Sequence, residues 1–131
     1  MRLRDVHSIV DYGRWATSRG FRCAEGPGQF GPVAPVPVHS TTSLHYANPP
    51  RALDINHDWN TNVDAQQWSS ELDALKWLYV KTLKWKRAHP RFPLDELFVA
   101  ALGWVKEAPD QNTAISNHWD HLHIGFTRST W

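Results

Sequence analysis

Apolar residues in this chain recur at two different spacings, and the spacings divide it into helical and extended stretches. Val6, Ile9, Val10 and Trp15 fall near one helical face, so the pattern predicts a first helix over about Asp5 to Arg19, with Gly20 as its stop. The longest periodic stretch runs from about Asp64 to Ala88. There Trp68, Leu72, Leu75, Tyr79 and Leu83 step by three or four, predicting an amphipathic helix ended by Pro90. Elsewhere the spacing is two. Arg51–Asn56 predicts a short strand with Ala52, Asp54 and Asn56 on one face and Leu53 and Ile55 on the other. Near residue 126, Leu122, Ile124 and Phe126 alternate with His121 and His123. Asp95–Leu102 also reads as a strand. Val33–His39 alternates, but Pro35 and Pro37 cannot donate ladder hydrogen bonds, which suits an edge strand or an extended segment. Gly26–Pro32 is a loop by composition, and Ser40–Pro50 reads as an exposed loop. Helices and antiparallel-looking strands are segregated, which predicts an α+β fold: a small single domain over residues 1–131, with a central antiparallel sheet and flanking helices.

Composition narrows the function classes. At 131 residues, with 41% hydrophobic and 21% charged residues, the chain has the balance of an ordinary globular domain with a sizeable core. One cysteine, Cys23, excludes a disulfide scaffold, and a buried or half-buried, inert thiol is expected there. A formal net charge of +1 gives no reason to expect a nucleic-acid partner held by bulk charge. No stretch has the roughly 18 apolar residues of a membrane span. The basic start, Met1–His7, is not followed by the apolar core of a secretory signal, so synthesis in the cytoplasm is expected.

The eight histidines are the informative residues. On a strand His121 and His123 share a face, backed by Leu122 and Ile124; two imidazoles so placed suit a metal ion better than packing. His45 and Asp54 lie on either side of the Pro49–Pro50 turn and can converge on the same ion. His45, Asp54 and one histidine of the pair would supply the three N or O donors of a catalytic zinc, leaving a fourth position for water.

The pattern Ser-x-His, a short spacer, Ala-x-Asp and a distal Asp-His-x-His resembles the LAS-type zinc peptidases. These include D-alanyl-D-alanine carboxypeptidases, L-alanyl-D-glutamate endopeptidases of phage endolysins, MepA-like murein endopeptidases and the hedgehog fold. The resemblance spans about Ser43 to Phe126. It implies a hedgehog-type fold, one Zn²⁺ on His45, Asp54 and His123, and metal-activated water that hydrolyses a peptide bond of bacterial peptidoglycan. Asp120 stands where many members carry a Glu base, and His121 and His118 match histidines of the MepA-like branch. Asp120, His121 and His118 are therefore the catalytic candidates, with the base open between Asp120 and His121. Ser43 and Arg51, beside the two ligand motifs, and Trp119 are expected on the substrate side, with Trp59 at the cleft rim. The spacer from His45 to Asp54 is two residues longer than the usual His-x6-Asp, and Asp replaces Glu as the expected base.

A monomer acting at the cell wall follows, in a phage lysin or a wall-remodelling enzyme. The rival from another class is a non-catalytic zinc module of the same fold, acting by binding. The other histidines have plainer readings. His57 points away from Asp54, His39 begins an unpaired His-x-Thr, and His7 and His89 sit on helix surfaces. The basic run Lys81–Arg87 reads as a solvated helix C-terminus.

Overall fold

The structure is a computed structural model that describes residues 1–35, 43–57, 70–99, 103–104, 121–128 and 130. The N-terminal helix α1 runs over Ile9–Ser18. Ser8 caps it by accepting from the Asp11 backbone N–H, so it begins four residues after the predicted start, and residues Leu3–Asp5 form a separate 3-10 turn. Gly20 ends it as expected: at φ 93° it takes the left-handed position that closes a helix, donating to the Thr17 carbonyl. Strand β1 (Phe21–Ala24) follows directly, and β2 spans Ala52–His57. The second helix, α2, covers Glu71–Ala88 behind a Ser70 cap. Then come β3 (Leu94–Val99), the two-residue β4 (Gly103–Trp104) and β5 (Leu122–Phe126).

The strands form an antiparallel sheet in the order β1-β2-β5-β3, extended at one edge by β4. The α+β architecture is thus as read from the sequence. The faces predicted for β2 and β5 are also the observed ones. Leu53, Ile55, Leu122, Ile124 and Phe126 enter the core together with Leu97 and Val99 of β3. Both helices pack on this face, where Tyr12 of α1 meets Trp15, Phe92 and Phe126 at ring separations of 5.3, 6.5 and 5.7 Å. Trp77 of α2 stacks on Phe21 and Trp15, each at 6.2 Å. None of the helices, among the described residues, is long and apolar enough to cross a membrane.

Two sequence expectations need correction. The buried stripe of α2 is Ala74, Leu75, Leu78 and Thr82; of the predicted line only Leu75 lies in it, Leu72 is exposed, and Trp68 lies outside the described residues. Tyr79 and Leu83 only flank the core. The phase is set by a polar contact invisible to hydrophobic spacing: the Tyr12 and Thr82 hydroxyls share a buried 2.6 Å hydrogen bond that joins the two helices. Burial pushes the Tyr12 phenol well above its ordinary range, so this group stays neutral. Tyr12→Phe or Thr82→Val should each cost about 1–3 kcal/mol by stranding the partner hydroxyl. The double variant should lose less than the sum of the two, which urea-unfolding midpoints would show. The second correction concerns Ser40–Pro50. Its described part contains a 3-10 turn over Leu44–Tyr46 that buries His45. The described part of Val33–His39 forms no strand. Cys23 is half-buried as expected, and burial pushes its thiol up to about 12, so it is unreactive near neutral pH.

Candidate metal centre

The sheet has a second face, opposite the helices, and the register assembles a polar site there. Asp54 of β2 pairs with His123 of β5, and His123 pairs with Phe98 of β3, giving one row across three strands. In the next row on this face, two residues along, Gly125 pairs with both Ala52 and Glu96. His45 comes from the turn before β2. Ser43 caps that turn by accepting from the His45 backbone N–H at 3.2 Å, and the Arg51 N–H closes it on the Leu44 carbonyl at 3.0 Å. The imidazole thereby swings under the sheet to Asp54.

His45 Nε2 and His123 Nδ1 both converge on Asp54 Oδ1, at 3.1 and 3.3 Å. The three ligand atoms lie within 4.8 Å of one another, in a group able to hold a metal ion. The other ring nitrogens are also engaged. His45 Nδ1 donates to the Glu25 carbonyl at 2.6 Å, and His123 Nε2 meets Glu96 Oε1 at 3.1 Å. Glu25 holds a left-handed backbone, φ 56°, a costly conformation for a non-glycine residue, which here turns its carbonyl toward the histidine. Phe98 stacks on the His123 ring at 4.4 Å and 8°, while the His45 ring meets its edge at 5.0 Å. Both histidines are buried.

This donor arrangement fits a divalent cation. Because a carbonyl can only accept, Nδ1 of His45 carries the proton. Its Nε2 then faces a carboxylate oxygen, and only a proton or a cation between the two makes that approach attractive. His123 is flanked by carboxylates on both sides. A dication among two neutral imidazoles, with Asp54 and Glu96 ionised, leaves the cluster neutral, as burial favours. In the metal-free protein, burial alone would push His123 down, but its hydrogen bonds to Asp54 and Glu96 prevail and raise it to about 9. Burial would likewise push Asp54 up, yet hydrogen bonds from His123 and His45 hold it well below the usual carboxylate range.

These shifts give opposite pH dependences. The His123 contribution to metal-free stability is fully present below the ordinary histidine value of about 6.5 and is lost as pH rises through 9. The Asp54 contribution is present above its ordinary value and is lost as pH falls into the acid range. Urea midpoints in chelator should therefore fall between pH 6.5 and 9. Metal binding near pH 7 should release about one proton, read by calorimetry in buffers of different ionisation enthalpy.

The three expected ligands thus come together. His121 joins their margin, with Nε2 3.7 Å from Asp54 Oδ2 and a partly exposed ring. Ser43 holds the His45 turn, and the Arg51 guanidinium donates to the Thr127 carbonyl, tying the start of β2 to the chain after β5. His118, Trp119 and Asp120 lie outside the described residues, as do His39 and Trp59 and the His57 side chain. His7 and His89 are exposed as expected. Sequence reasoning missed Glu96 and Phe98, since pairing of β3 with β5 is a property of topology. An acidic residue two before a phenylalanine in an expected strand was the available signal. No family model, curated protein or solved structure matches the chain.

Proposed function

We propose that this protein is a zinc-dependent peptidase that hydrolyses stem or cross-bridge peptides of bacterial peptidoglycan, working at the wall as a lysin or remodelling enzyme. The observation that carries this reading is the convergence of His45 Nε2 and His123 Nδ1 on Asp54 Oδ1. A tetrahedral ion with bonds of about 2.0–2.1 Å sets its ligand atoms about 3.3 Å apart. The 3.1 and 3.3 Å separations match that spacing. Two imidazoles and a carboxylate, without cysteine, are the donor set of catalytic rather than closed structural zinc. The resemblance to the LAS-type peptidases, which have this ligand order, supplies the substrate class.

When bound, zinc supplies a water acidified toward neutral pH and polarises the scissile carbonyl. The chain's own residues do the rest. Glu25 and Glu96 fix the ring orientations of His45 and His123, so the ligand atoms are pre-aimed. His121, at the margin of Asp54, would donate a hydrogen bond to a substrate oxygen. Asp120 and His118 complete the proposed acid–base set, with Asp120 or His121 as the base.

The test is metal analysis of the purified protein together with release of new amino termini from purified peptidoglycan, before and after chelation. One zinc per chain with chelator-sensitive release is the expected result. One zinc with no hydrolysis of several wall types would replace the enzyme with a zinc-stabilised binding module. Absence of metal under zinc-replete conditions would overturn the ligand assignment.

A further inference from the structure

The polar face of the sheet continues past the ligand row in two directions, and the two sides differ. On one side lies the row of Ala52, Gly125 and Glu96. The His45 turn covers it: a Cβ built at Gly125 would sit 2.7 Å from Leu44 Cδ1, so that side chain rests directly on the glycine. On the other side the row runs through Arg22, Asn56 and His121. Arg22 pairs with Asn56 across β1 and β2, and the register carried one step past the Ile55–Leu122 pair sets His121 beside Asn56. Arg22 is exposed, and Asn56 and His121 are half-buried. His121 Nε2 lies 3.7 Å from Asp54 Oδ2, whereas His45 and His123 both approach Oδ1. Among the described residues, the ligand cluster is therefore covered on the Gly125 side and accessible on the Asn56 side.

Asn56 has no evident task in the fold itself. Its carboxamide makes no side-chain hydrogen bond among the described residues. Asparagine is also a poor strand former, yet it stands inside β2, two positions from Asp54 on the same face. Half-burial removes part of the amide's hydration, and a ligand that pairs with it recovers that loss. The carboxamide sets a donor and an acceptor side by side in one plane. A residue of an extended peptide turns its own N–H and C=O to one side and so offers the complementary pair, as in an antiparallel ladder. An extended peptide lying along β2 advances by the same step as the strand, about 3.3 Å per residue. With its reacting carbonyl at the ligand row, the residue two along therefore stands over Asn56.

We infer that Asn56 is a substrate-binding residue, which grips the main chain of an extended peptide two residues from the carbonyl held at the metal cluster. The inference rests on the peptidase reading and narrows it to substrates longer than a dipeptide. The experiment is calorimetric titration of the zinc-loaded protein with two phosphinic alanine peptides, one with three residues on each side of the phosphinate and one with a single residue on each side. The long probe should bind the parent at least about tenfold more tightly than the short one, the worth of two neutral hydrogen bonds. Asn56→Ala and the near-isosteric Asn56→Leu should each weaken the long probe about tenfold. Their zinc content and their affinity for the short probe should match the parent's. Long-probe affinity unchanged in both variants, an equal loss for the two probes, or loss of zinc from the variants would overturn the role of Asn56 and leave the peptidase reading standing. A parent that binds neither phosphinate would overturn that reading, and this inference with it.

Discussion

His123→Ala is expected to leave the purified protein with no bound metal, where the proposed function expects one ion in the parent, and to remove the proposed peptide-bond hydrolysis. His123 is the crossing point of the site: it gives one ring nitrogen to the ligand cluster and the other to Glu96, and its ring is stacked on Phe98. Its removal leaves Asp54 and Glu96 as half-buried carboxylates without the imidazole between them. Breaking such a buried pair by deleting one partner costs about 3–5 kcal/mol, so the metal-free variant should also unfold at markedly lower urea. His121→Ala separates the two roles. It stands at the margin of Asp54 rather than in the cluster, so this variant should keep its metal and lose turnover. Metal analysis, unfolding curves and a wall-hydrolysis assay on the same preparations check all three statements. A His123→Ala protein that still carried one ion would remove His123 from the ligand set.

Glu96→Ala should lower metal affinity about 10- to 100-fold while leaving the ligands in place, because a carboxylate behind a ligating imidazole fixes its tautomer and raises its basicity. Glu96→Gln keeps an acceptor for the His123 Nε2–H and should fall between the two. Gly125 provides a second handle on the same contact. A Cβ built there would lie 2.9 Å from Glu96 Oε1 and 2.7 Å from Leu44 Cδ1. Both are ends of flexible side chains and can move aside, so Gly125→Ala should cost little stability while displacing Glu96 from His123. Competition titrations with a chromophoric chelator would show weakened metal binding in a well-folded protein. If Gly125→Ala and Glu96→Ala both bind metal as tightly as the parent, Glu96 does not hold His123 in its ligating pose.

The parts of this site legible in the sequence are those written in strict alternation. Leu53 and Ile55 against Asp54, and Leu122, Ile124 and Phe126 against His123, name both their strands and their faces, because a pleated strand that alternates apolar with polar residues has no freedom of phase. β3 has no such signature. Leu97, Phe98 and Val99 are all buried, two against the helices and one against His123, so the run reads as apolar on both sides. Its register also shifts between Leu94 and Glu96, which breaks the alternation just where the carboxylate sits. His45 illustrates a different gap. An eleven-residue stretch rich in Ser, Thr, Asn and Pro looks like exposed loop, yet within it one serine hydroxyl on the next-but-one N–H caps a turn that buries an imidazole. The helix stripe was misphased for a related reason: a threonine forms its C-terminal end, bonded there to Tyr12.

The position of β5 between β2 and β3 bears on how the chain must fold. Both of its neighbours precede it, β2 by about seventy residues, so neither half of the sheet can join the other until β5 inserts between them. The Asp54–His123–Phe98 row across the three strands is therefore absent from every partly zipped form. Entropy is spent closing a long loop before the central pairings form, which places refolding with the mixed folds, slower than helical bundles and faster than all-β sandwiches. An ion taken up during refolding should then arrive with the last cooperative phase, and its capture would time the closure of the sheet.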